Sequence, residues 1–171
     1  MGTALFLSLR AAHVLLAAVW VGATVFISVL LMPVIEGSGP IGGQLMQSLE
    51  KKGMTPFFAA LGGTTVLTGI YLYWHFTGGF DPEISRTHAG MAFGLGGAAG
   101  ILAVIIGGSV IGRSSRKVLA LMEQVPKASE AQKGALLKEA EMLRGRMKTF
   151  GLIVLLLQLV ALLTMSVGHY I

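Results

Sequence analysis

Four uninterrupted apolar stretches, at about 11–35, 56–76, 89–112 and 150–167, decide what this chain can become. Each has about the 17 to 25 residues that cross a hydrocarbon core as an α-helix. In lipid every backbone N–H and C=O must be satisfied within the protein, and a single segment achieves this only as a helix. With flanking residues included, helices are expected at about 4–35, 56–77, 88–113 and 148–170, and together they use almost all of the 171 residues. The expected fold is all-α, a single transmembrane domain forming an integral membrane antiparallel four-helix bundle. Composition agrees: 54% of the residues are hydrophobic and 12% charged, too apolar for a soluble domain with a wetted surface. The first stretch is too long for the core of a signal peptide and has no basic segment before it, so it reads as a span.

Chain breakers and charges organise these spans. Pro33 and the run from Gly37 to Pro40 are expected to end the first helix, while Gly78, Gly79 and Pro82 separate the second and third and predict a tight antiparallel hairpin. The basic residues are distributed unevenly. Arg113, Arg116, Lys117, Lys127, Lys133, Lys138, Arg144, Arg146 and Lys148 lie between the third and fourth spans, and Lys51 and Lys52 follow the first. Only Arg10 and Arg86 fall on the opposite side. Cytoplasmic loops retain Lys and Arg, so the expected location is a cell (inner) membrane with both termini outside, periplasmic in a double-membraned bacterium. The net charge of +5 thereby reflects topology and not nucleic-acid binding. The basic segment, about 115–147, reads as a cytoplasmic helical loop: Leu136, Ala140, Leu143 and Met147 recur at helical spacing, and Ser129 with Gln132 has the form of a capping box. Its charges form a solvated face or, alternatively, a surface for anionic headgroups or a soluble partner.

Several chemistries are excluded at once. The chain has no cysteine, so disulfides, thiolate metal sites, iron–sulfur clusters and covalent c-type haem attachment are excluded. It contains no phosphate-binding glycine loop, no nucleophile elbow, no HExxH and no carboxylate within a span. Four histidines remain. In an up-down bundle His13 lies one turn inside the first helix, His75 closes the second, His88 opens the third and His169 closes the fourth, which places all four at the outer side. Imidazoles at membrane depth are costly and face the bundle interior, which makes them functional candidates. His13 shares a helical face with Ala17, Trp20 and Thr24, and His75 shares one with Thr64, Thr68 and Tyr71.

The glycine-rich third span, with Gly90, Gly94, Gly96, Gly97, Gly100, Gly107 and Gly108, supports two readings. One is close helix packing through small-xxx-small pairs, and the other is packing plus room for a flat macrocycle held by imidazoles. A competing chemistry uses His88 with Met91 and Met165 with His169, each an imidazole and a thioether on one helical face, a combination that suits Cu(I).

The run from Leu9 through His13 to Trp20, Val21 and Gly22, with its pattern of His, six residues, Trp, any residue and Gly, resembles the first helix of the copper resistance D family and of the J-type membrane protoporphyrinogen oxidases. Thr68, Gly69, Ile70 and Tyr71 extend the likeness weakly into the second span. The resemblance to the oxidases implies haem b with His13 as an axial ligand, while the copper family implies copper handling at the same position. Relatives of both kinds carry a lysine near the start of a later helix where this chain has His88. A neutral imidazole ligates iron or copper without first losing a proton, so this exchange favours a metal or haem site.

The leading expectation is therefore a membrane b-type haem protein in electron transfer. His13, His75, His88 and His169 supply ligands for one haem or two, and Trp20 and Tyr71 flank the cofactor. A quinone, a soluble redox protein or a small oxidant would be the external partner, and the reading accommodates a homo-oligomer. The alternatives are a copper-binding or copper-uptake protein using the outer His residues with Met91 and Met165, and a non-enzymatic assembly or partner-binding subunit with inert histidines.

Overall fold

A computed structural model describes residues 2–168 and 170–171. Six helices follow one another: α1 (Thr3–Gly37), α2 (Gly39–Lys51), α3 (Met54–Phe76), α4 (Pro82–Ser85), α5 (His88–Lys127) and α6 (Glu130–Val167). The described residues contain no strand. α1, α3, α5 and α6 are each long and apolar enough to cross a membrane. Their outward faces are apolar, with Leu15, Leu67 and Leu163 more than 60% exposed. A water-soluble surface rarely carries bare leucine on every helix, whereas a lipid-facing surface does.

The turns follow from local chemistry. Gly78, Gly79 and Phe80 all adopt positive φ, at 64°, 98° and 66°, and reverse the chain after α3. The Asp81 carboxylate then accepts the Glu83 N–H at 2.7 Å and so caps α4. The Thr87 hydroxyl accepts the Gly90 N–H at 3.1 Å and caps α5. Gly90 lies directly beneath the carbonyls of Ile84 and Ser85, a place with no room for a side chain. The charged segment consists of the continuations of α5 and α6, which meet at Val125–Ser129 and pack through buried Ser114, Ser115, Leu121 and Ala140. At the turn, the Gln132 side chain accepts the Ser129 backbone N–H at 3.2 Å. Lys148 pairs with Glu36 at 2.9 Å and ties α6 to the end of α1.

Pro33 does not end the first helix. Its missing N–H and its ring are incompatible with a regular bond to the carbonyl four residues earlier. The helix answers with a π-helical turn over Phe26–Leu31 and continues to Gly37. A second π turn interrupts α5 at Gly107–Ile111. The region between Ser38 and Lys52 is a further helix, α2, in which Ile41, Leu45 and Leu49 recur every four residues.

The centre is built by rings lying on glycines. Trp20 is 6% exposed and packs with Leu61, Ala103 and Val154, one residue from each of the other long helices. A Cβ on Gly62 would stand 2.9 Å from Trp20 Cζ2 and 3.1 Å from Val104 Cγ2, so this glycine admits the indole between α1, α3 and α5. The adjacent Gly63 has no such neighbour within 4 Å. The two glycines therefore respond oppositely to alanine. Gly62→Ala forces the indole aside and costs about 1–3 kcal/mol, whereas Gly63→Ala gains roughly 0.5–1 kcal/mol of helix propensity. Thermal unfolding of both variants in one detergent checks this: the melting temperature falls for the first and holds or rises for the second.

Candidate functional site

Seven residues from the Trp20–Gly62 contact, toward the N-terminus of α1, the same construction recurs. A Cβ on Gly69 would stand 2.9 Å from His13 Cε1, so the imidazole lies against bare α3 backbone as the indole does. Seven residues is close to two helical turns, and so His13 and Trp20 share one face of α1, and Gly62 and Gly69 one face of α3. The same count on α5, back from Val104, reaches Gly97, whose Cβ direction is open for 4 Å. Gly96 beside it packs against Thr164 and Met165 of α6. His13, Gly69, Gly96, Gly97, Thr164 and Met165 thus form one level of the structure.

The orientation of His13 is chemically defined. Its Nδ1 lies 3.0 Å from the Thr65 carbonyl oxygen and 3.0 Å from the Thr68 hydroxyl. A carbonyl only accepts, so Nδ1 is the protonated nitrogen and donates. The Thr68 hydroxyl donates its own proton to the carbonyl of Thr64 or Thr65, each at 2.9 Å, and receives the imidazole N–H through its lone pair. This arrangement leaves Nε2 with a free lone pair. A neutral imidazole with Nδ1–H held by a carbonyl is the form in which histidine ligates metals.

The other named residues occupy different levels. His75 is six residues beyond Gly69, about 9 Å along the axis, and its ring stacks on Phe6 at 4.6 Å. His88 is the exposed first residue of α5, nine residues before Gly97. The structure therefore does not bring His75 or His88 opposite His13. Tyr71 packs against Trp74 with ring centroids 5.9 Å apart. Met91 is 53% exposed, whereas Met165 is half-buried against Gly96. His169 lies outside the described residues. Among the described residues no group of three or more His, Asp or Glu side chains is gathered to hold an ion.

Two participants carried no clear signal in the sequence. The Thr65 carbonyl acts through the backbone, which has no residue signature. Gly69 was visible as a glycine, but its role as the seat of an imidazole depends on the register between α1 and α3. No family profile, curated protein or solved structure matches the chain.

The geometry predicts one histidine locked as the Nδ1–H tautomer. In ¹⁵N spectra of histidine-labelled protein that signal should vanish in His13→Gln. In Thr68→Val, which keeps the shape and removes one acceptor, it should shift toward tautomer exchange. A wild-type spectrum with every histidine averaging between tautomers would contradict the assignment.

Proposed function

We propose that this protein is an integral membrane antiparallel four-helix bundle that binds haem b through His13 and transfers electrons across or along its outer side. The single observation that carries the reading is the double anchoring of His13 Nδ1 by the Thr65 carbonyl and the Thr68 hydroxyl. That anchoring presents Nε2 as a ready ligand within an apolar helix pair. Gly69 seats the ring on bare α3 backbone, and a Cβ on Gly97 at the same level would meet no atom within 4 Å, so neither position obstructs a flat cofactor beside Nε2.

When bound, haem b supplies reversible one-electron iron chemistry that no side chain here provides. The protein's part is positional and electrostatic. His13 would supply a ligand to the iron, and Thr65 and Thr68 fix the rotation of its ring. Trp20, Leu61, Ala103 and Val154 close the structure two turns below and keep water from that side. Without a nucleotide-binding motif, the partner is external: a quinone, a soluble redox protein or a small oxidant. The basic segments set both termini outside.

One observation favours a second reading. Met165 stands at the level of His13, and a thioether near a neutral imidazole suits Cu(I). Metal analysis with an absorption spectrum separates the two. Protein purified with haem supplied should carry iron and porphyrin with a Soret band. His13→Ala should abolish that band, and Thr68→Val should weaken haem retention by up to about tenfold. Copper without porphyrin, lost on Met165→Leu, would assign the level to copper, and a colourless protein free of both would refute this function.

A further inference from the structure

The end of the molecule away from His13 holds a groove of about 390 Å³. Phe26, Ile27 and Leu31 of α1 form one wall, and Leu49 and Phe57 form the other, with Lys52 at the rim. Its shape follows from two local events already described. The π turn over Phe26–Leu31 widens α1 where Pro33 interrupts the bonding ladder. Across from it, Gly53 takes φ 95° and bends the chain sharply from α2 into α3.

We propose that this groove binds one acyl chain of an anionic phospholipid whose phosphate pairs with Lys52. The walls are apolar and the rim carries a cation, which matches an amphiphile with a hydrocarbon tail and a negative head. Basic pockets between spanning helices on the cytoplasmic side are suited to such headgroups. Lys51 and Lys52 are both exposed, and neither takes part in an ion pair among the described residues. Glu50, the acid beside them, is engaged by the Thr55 hydroxyl at 2.8 Å. Both positive charges are thus free for an external anion.

Depth supports the same occupant. α2 exposes Ile41 at 72% and Leu45 at 44%, one turn apart, the pattern of a helix lying in the membrane interface with its apolar side in the acyl boundary. Such a helix ends with Lys51 and Lys52 at headgroup height and leaves the groove just below, where acyl chains begin. An uncharged lipid or a quinone tail would fill the walls and leave the lysines unanswered, and a zwitterionic phosphatidylcholine would bring its phosphate already offset by its own trimethylammonium.

The proposal rests on the membrane placement proposed above and is independent of haem. The test is native mass spectrometry of the full chain with added phosphatidylglycerol or phosphatidylcholine of equal chain length. Wild type should retain phosphatidylglycerol about fivefold more than phosphatidylcholine. Lys52→Gln should erase that preference and Lys52→Arg should keep it. Lys138→Gln, an exposed charge on the α6 extension, should leave it intact. Ala23→Phe, which narrows the groove, should lower retention of both lipids. Equal retention by wild type, equal losses in Lys52→Gln and Lys138→Gln, or preferential capture of oleate or a quinone would overturn the proposal. Flotation of the same protein with pure phosphatidylcholine vesicles reports membrane placement separately, so failure of that placement is distinguishable from failure of the lipid site.

Discussion

Everything at the His13 end depends on two aromatic rings lying on two glycines. Helices surrounded by lipid gain little from hydrophobic sequestration, because lipid tails are as apolar as leucine. Association then rests on close contact at small residues. In α1 and α3 that contact is made twice, by Trp20 on Gly62 and by His13 on Gly69, at the same seven-residue interval on both helices. A single ring-on-glycine contact would let the helices pivot or slip by a turn. Two contacts two turns apart fix the register, and that register delivers His13 Nδ1 to the Thr65 carbonyl and the Thr68 hydroxyl. Packing and the orientation of the His13 ring are therefore one constraint.

Most polar side chains in these apolar helices are satisfied by their own backbone. Thr24 donates to the Trp20 carbonyl, Thr65 to that of Leu61 and Thr164 to that of Val160, at 2.8 to 2.9 Å. Such bonds cost the fold little and convey nothing between helices. His13 differs because its partners lie on another helix. Gln158 differs in the opposite way: it is 1% exposed on α6, and neither atom of its amide finds a partner among the described residues. An unanswered buried amide carries a penalty of about 1–3 kcal/mol. Gln158 follows Leu157, which packs against the Trp20 cluster, so this cost falls in the apolar level and not in the level of His13.

The four long apolar helices were legible because they rest on long apolar runs, and the shared face of His13 and Trp20 was legible because it rests on helical spacing. Which histidines meet was not legible. Being at the same end of a bundle requires only a helix terminus, whereas sharing a level requires knowing the register, and register is set by Gly62 and Gly69 on another helix. Pro33 misled for a related reason. Proline removes a hydrogen bond wherever it stands, but whether the helix stops or widens depends on what packs around it, and here α1 widens. α2 was hidden because its glycines and Ser38 signal a loop, while its four-residue apolar repeat is too short to stand out beside the long spans.

The two ends of the α1–α3 pair are consequently built on opposite principles. Near His13 the helices approach until a Cβ would collide, and the bonding ladder is regular, so a side chain can be held within hydrogen-bond tolerance. Near Lys52 a π turn and a left-handed glycine hold the same helices apart, and the resulting groove is shaped by side chains with rotamer freedom. α5 repeats the contrast, with close contacts at Gly90, Gly94 and Gly96 and a π turn at Gly107–Ile111 where glycine Cβ directions are open. Close backbone contact suits the fixing of one ring, as at His13. A widened helix suits a site that accepts a flexible chain. The distribution of glycine contacts and π turns along α1, α3 and α5 thus separates a precise end from an adaptable one within helices that are continuous between them.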